Sequence, residues 1–236
     1  LGTELSAPLV SPASLAHNFT NEGGVAGTTR LLRNITGLWV FEGCLRGWRA
    51  EGRTFTVAQV LADAASRQAC RALIDPDDAA FHRVPDAAAV QAWCARTGQS
   101  VPESASDVTR VVIDSLALAC RRGVRALEAV TGTPVHTMRV IGGGARNHLL
   151  NQATADATGC RVLAGPVEAT ALGNVVVQLV ALGAVRTLAE GRQLVAAAFP
   201  PEEFTPRAPA VWDAASERFA NLTARDVGPA GRAGPR

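Results

Sequence analysis

Three consecutive glycines, Gly142, Gly143 and Gly144, lie between Ile141 and Ala145, and Asn147 follows closely. A run of this kind lets the backbone approach a ligand, because no Cβ stands in the way and positive φ is freely available. At a strand-to-helix turn it aims N–H groups and a helix N-terminus at a bound anion, or lets a planar ring lie against it. The spacing is neither G-x-G-x-x-G nor a Walker A loop, and a tight turn without a ligand accounts for the same residues. Asn147 can offer its amide to a purine or a ribose, and it suits equally well as the cap of the helix beginning beside it. Asn34 and Glu42 fall with Leu38 and Phe41 within about 100° of one another on a predicted helix, where they either line an apposed site or face water. Asp114, next to Ser115, reads as a helix-packing or capping group rather than a catalytic base. Glu168 reads as the cap of the first turn of the helix it precedes.

The 236 residues contain no lysine, which removes Schiff-base chemistry and the P-loop lysine. The five cysteines, Cys44, Cys70, Cys94, Cys120 and Cys160, form no C-x-x-C, and the four histidines are dispersed, so a zinc site is not expected. Reduced thiols point to a cytoplasmic setting. Twenty-three basic against 21 acidic residues, with no sustained charge run, support neither a nucleic-acid groove nor a membrane patch. The most apolar stretch, Val175 to Val185, falls well short of the roughly 20 residues that span a bilayer. A small-molecule partner is the expectation. The first residue is Leu and no signal-peptide pattern follows, so the chain is expected to be a piece of something longer.

These residues need elements to position them. Length and 47% apolar content fit a globular chain, with a disordered Gly/Pro/Ala/Arg tail expected at 226–236 after a domain over residues 1–225 that the pattern of elements below makes α/β. Leu1 to Leu9 suggests an edge strand, and Asn18 to Gly27 a polar glycine-rich loop. The recurrence of Leu31, Leu32, Ile35, Leu38, Trp39, Val40 and Leu45 predicts an amphipathic helix from Thr28 to about Arg49. Residues 56–105 form a helical subregion, and a long helix runs from about Ala105 to Thr131. A strand at Val135–Ile141, the glycine turn, a helix His148–Thr158 stopped by Gly159, a strand Arg161–Ala164 and a helix from Ala169 to Val185 make a βαβα pattern with parallel pairing.

Several stretches in order carry a resemblance: Asn18-Phe-Thr-Asn-Glu-Gly-Gly24, Arg30-Leu-Leu-Arg-Asn34-Ile-Thr-Gly37-Leu-Trp39, Asp114-Ser-Leu-Ala-Leu118, Ile141-Gly-Gly-Gly-Ala-Arg-Asn147 and Gly165-Pro-Val-Glu168-Ala-Thr-Ala-Leu-Gly-Asn174. Together they resemble the C-terminal half of the FGGY carbohydrate kinases, and the first two resemble its rhamnulokinase branch most. The resemblance implies an actin-like ATPase (ribonuclease H-like) fold, this chain being the C-terminal, nucleotide-side lobe. It implies transfer of the γ-phosphoryl group of ATP, with Mg2+, to a sugar hydroxyl, for that branch the 1-hydroxyl of L-rhamnulose.

By motif, Asn34 corresponds to a sugar-binding position, Glu42 to an ATP-linked one, Gly143 with Gly142 and Gly144 to the ATP-contacting glycine turn, and Asn147 to a place near the adenine. The branch commonly carries Gln where this sequence has Glu42, and a carboxylate there must face sugar, ribose or solvent rather than phosphate. The aspartate base and the Asp-x-Gly-Thr motif belong to the N-terminal half. On this reading the chain has no catalytic residue or metal ligand of its own and is inactive without its N-terminal partner domain. The alternatives are a non-catalytic nucleotide- or sugar-binding remnant, and a kinase for another ketose or polyol.

Overall fold

The structure is a computed structural model describing residues 1–83 and 85–224; the predicted disorder of 226–236 lies outside them. The first sheet holds β1 (Gly2–Leu5), β2 (Thr20–Gly23) and β3 (Thr29–Leu32) in the antiparallel order β1-β3-β2, with a short helix α1 (Pro12–Ala16) between the first two strands. Gly2 and Thr20 both lie opposite Leu32, so β3 is the central strand. Helix α2 (Trp39–Ala50) follows, α3 (Val57–Ala65), α4 (Ala80–Arg83) and α5 (Ala87–Arg96) form the expected helical subregion, and α6 (Ala105–Thr131) is the long helix. The second sheet joins β4 (Thr137–Val140) in parallel to β5 (Arg161–Ala164) across α7 (His148–Thr158). Beyond it come α8 (Ala169–Ala181), α9 (Leu188–Ala198), β6 (Glu202–Phe204), antiparallel to β5, and α10 (Pro209–Ala224).

Local signals explain why α6 occupies its predicted span. Ser104 Oγ accepts from Asp107 N at its start, in a capping box, and Gly132 adopts φ 68° at its end. Its apolar positions Val108, Val111, Val112, Leu116, Leu118, Val124 and Leu127 are buried, each worth about 1.5–3 kcal/mol. One face packs on α2, α3 and α5, another on α7 and α10, so α6 is the spine between the helical subregion and the second sheet.

Two expectations need correction. The predicted helix from Thr28 to Arg49 is a strand, a loop and a helix. Thr29 and Leu31 point inward and Arg30 outward, a period of two that pairs with both β1 and β2. The helix starts only at Trp39, so Asn34 sits in the connecting loop and does not share a helix face with Glu42. The predicted loop Asn18–Gly27 contains β2, because the free edge of β3 supplies partners for its backbone. The opening strand is at a sheet edge as expected, and the βαβ unit is parallel.

Candidate functional site

The glycine run forms a short 3-10 turn, Gly142–Arg146, directly after β4. Gly142 has φ 76°, a conformation that only glycine adopts without strain, which explains that residue's identity. A Cβ built on Gly143 would meet nothing within 4 Å, so the bend presents open backbone. In an i→i+3 turn starting after Ile141, Gly144 supplies the first amide with an acceptor inside the turn. The Gly142 N–H goes to Pro166 O at 3.3 Å. The Gly143 N–H, on an exposed residue, is left without an acceptor among the described residues. The second βα connection is tied to the first, since Gly165 N donates to Val140 O at 2.8 Å.

Asn147 is buried and caps α7: its Oδ1 accepts from Leu150 N at 3.0 Å. The capping role therefore takes the side-chain oxygen, and the Nδ2 has no partner among the described residues. One turn later Asn151, which sequence reasoning did not single out, is fully buried and directs its Nδ2 at Ala145 O (3.0 Å) and Gly144 O (3.4 Å). Its only sequence signal is a polar residue one turn past a cap.

Glu42 is exposed on the first turn of α2. Leu38, capping α2, and Leu150, in the first turn of α7, pack against the same two buried clusters. Asn34 is exposed in the 33–38 loop, and no hydrogen bond joins it to the bend among the described residues. That loop is pinned by Arg33 N to Leu1 O (2.9 Å), by Leu1 N to Arg33 O (3.0 Å) and by Thr36 N to Asp77 Oδ1 (3.1 Å). Asp77 Oδ2 in turn accepts from Arg122 at 3.2 Å.

Asp114 fills the packing role. Its Oδ2 accepts from Cys70 N (2.6 Å) and Arg110 Nε (3.0 Å), it is fully buried, and burial raises its pKa. Ser115 accepts from Ile74 N at 2.9 Å, so the pair fixes the 70–74 segment onto α6. Glu168 occupies the cap position of α8, but its side chain makes no capping bond. All five cysteines are free thiols. Among the described residues no group of three or more His, Cys, Asp or Glu side chains could hold a metal ion, and no helix is long and apolar enough to cross a membrane. An open groove of about 740 Å³ runs past the C-terminal side of the bend, lined in part by Arg146, His148, Gln152, Phe204 and Arg207.

Residues 1–182 match the C-terminal domain of the FGGY family of carbohydrate kinases. The chain is 43% identical over 222 residues to a rhamnulokinase of Bacteroides thetaiotaomicron, covering 94% of this chain and 45% of that protein. It is 39% identical over 233 residues to a rhamnulokinase of Pectobacterium carotovorum, covering 98% of this chain and 46% of that one. It thus spans less than half the length of the curated relatives it matches. Among solved structures, a xylulose kinase from Rhodospirillum rubrum superposes with TM-score 0.66 at 21% identity, over 95% of this chain and 44% of that one. Plasmodium falciparum glycerol kinase with ADP superposes with TM-score 0.69 at 12% identity, over 96% and 46%. At such identities the two structures speak for the fold alone.

Proposed function

Because the chain belongs to the FGGY family of carbohydrate kinases and is a rhamnulokinase-like C-terminal portion with the actin-like ATPase fold, we propose that it is the nucleotide-side lobe of an enzyme phosphorylating L-rhamnulose at its 1-hydroxyl. The observation carrying this reading is the open amide at Gly143, without an acceptor among the described residues, in a chain 43% identical to a rhamnulokinase. The bend fits a nucleotide: there is room where a Cβ would stand, and an unused donor for an anion or a ring edge.

On this reading Gly142, Gly143 and Gly144 seat the adenosine phosphate, and Asn147 turns its Nδ2 toward the adenine while its oxygen holds α7. Glu42, at the start of α2, meets the ribose or the sugar side, because its charge would repel phosphate. Asn34 binds the sugar from its loop. ATP supplies the transferable γ-phosphoryl group, and Mg2+, carried on its phosphates, offsets their charge. The aspartate base comes from an N-terminal lobe, and closure of the two lobes excludes water and aligns the reactants. Alignment of this kind can contribute ~7–11 kcal/mol, so the chain alone is inactive. Free thiols and the need for ATP favour the cytoplasm.

The test compares the chain alone with the enzyme in which it is joined to its N-terminal lobe. The chain should bind ADP in isothermal titration without turning over, and the joined enzyme should show its highest kcat/KM on L-rhamnulose among L-rhamnulose, L-fuculose, xylulose and glycerol. A folded chain that binds no ADP overturns the reading. A better ketose or polyol corrects the substrate.

A further inference from the structure

We propose that Asn151 is a positioning residue of the nucleotide seat, tethering the carbonyls of Gly144 and Ala145 so that neither oxygen turns out toward the ligand at the open face. The inference rests on the reading of the bend as that seat. Three glycines in succession give the backbone more freedom than any other sequence, and a peptide plane there can turn over unless its oxygen is held. The Nδ2 of Asn151 holds two successive planes from inside the protein, at 3.0 Å from Ala145 O and 3.4 Å from Gly144 O. Asn147 N adds a second bond to Gly144 O at 3.0 Å, so both oxygens point toward α7 and away from the open face at Gly143.

The chemistry of the residue is selective. Two carbonyls reached by one side chain require a primary amide of this length: Asp supplies no donor, Ser and Thr are too short, and Gln carries its amide one methylene too far. The Asn151 Oδ1 is buried with no partner, a cost set against the two bonds its Nδ2 makes. The tethers therefore account for an otherwise unfavourable side chain. Were they cut, a carbonyl turned outward would set a negative partial charge against phosphate.

The experiment uses the joined enzyme and three variants. Asn151→Asp keeps the shape and replaces the donor by an acceptor, and Asn151→Ser is a smaller replacement that also loses the reach. Thr158→Val is the control, removing the 2.7 Å bond from Thr158 Oγ1 to Thr154 O in the same helix without touching the bend. The expected result for both Asn151 variants is a loss of about tenfold in ADP affinity and a matching rise in KM for ATP, with KM for the sugar unchanged. Thr158→Val should melt at a lower temperature yet bind ADP as the parent does. ADP binding by a folded Asn151 variant within about twofold of the parent, or equal rises in both KM values, overturns the positioning role. A parent enzyme that does not bind ADP overturns the seat itself, a distinguishable outcome.

Discussion

The glycine bend and the 33–38 loop are both irregular connections from a strand into a helix, and they are held by different forces. The bend is fixed from within by neutral amides: Asn147 caps α7, and the fully buried Asn151 ties back two carbonyls. The loop is held at Arg33 by backbone bonds with Leu1 and further along from the rim by charge, through Thr36 N on Asp77 and Asp77 on Arg122, whose side chains are 36% and 34% exposed. Neutral buried bonds fix one geometry and ignore salt, whereas a half-exposed ion pair is screened and worth much less. The bend is thereby built rigid, and the 33–38 loop adjustable.

The largest expected effect comes from putting charge into the bend. Gly143→Asp in the joined enzyme should raise KM for ATP by about tenfold or more, with little change in KM for the sugar or in melting temperature, because a Cβ at Gly143 meets no neighbour. Equal changes in both KM values would remove Gly143 from the nucleotide site and erase the contrast between the regions.

A smaller effect separates adjacent glycines. Gly142→Ala must hold φ 76° with a Cβ and should cost about 1–2 kcal/mol, seen as a lower melting temperature, whereas Gly143→Ala should be nearly neutral. Similar melting temperatures for the two would show that the bend relaxes freely.

The smallest effect belongs to the loop. Asp77→Ala should raise KM for the sugar about threefold and leave KM for ATP alone, the size being discounted for solvent screening. In the unmutated protein, raising salt from low to about 0.5 M should speed hydrogen exchange at the Thr36 amide and leave the Leu150 amide unchanged. Equal salt responses would mean that both segments are held in the same way.

Legibility in the sequence divides along the same line. The long helix, the βαβ unit and the helix after the bend are announced by local chemistry: Ser104 with Asp107, Gly132 and Gly159 at φ 68° and 74°, and Asn147 at a cap. The span Thr28–Arg49 was misleading because Leu31, Leu32, Ile35 and Leu38 recur at helical spacing, while pairing with Gly2–Leu5 and Thr20–Gly23 decides the outcome. β6 is three residues long and pairs with a strand from which α8 and α9 separate it, so no local pattern marks it. The open glycine bend was legible as a candidate site; its tether was not, since one inward-facing Asn looks in sequence like any solvated one.

The most direct test is to follow the glycine amides by NMR while ADP, and separately L-rhamnulose, are added to the isotope-labelled protein. A nucleotide seat predicts that the Gly143 amide resonance moves with ADP, more than that of Gly159 at the far end of α7, and stays in place with the sugar alone. A Gly143 resonance indifferent to ADP while the protein binds it elsewhere would contradict the account.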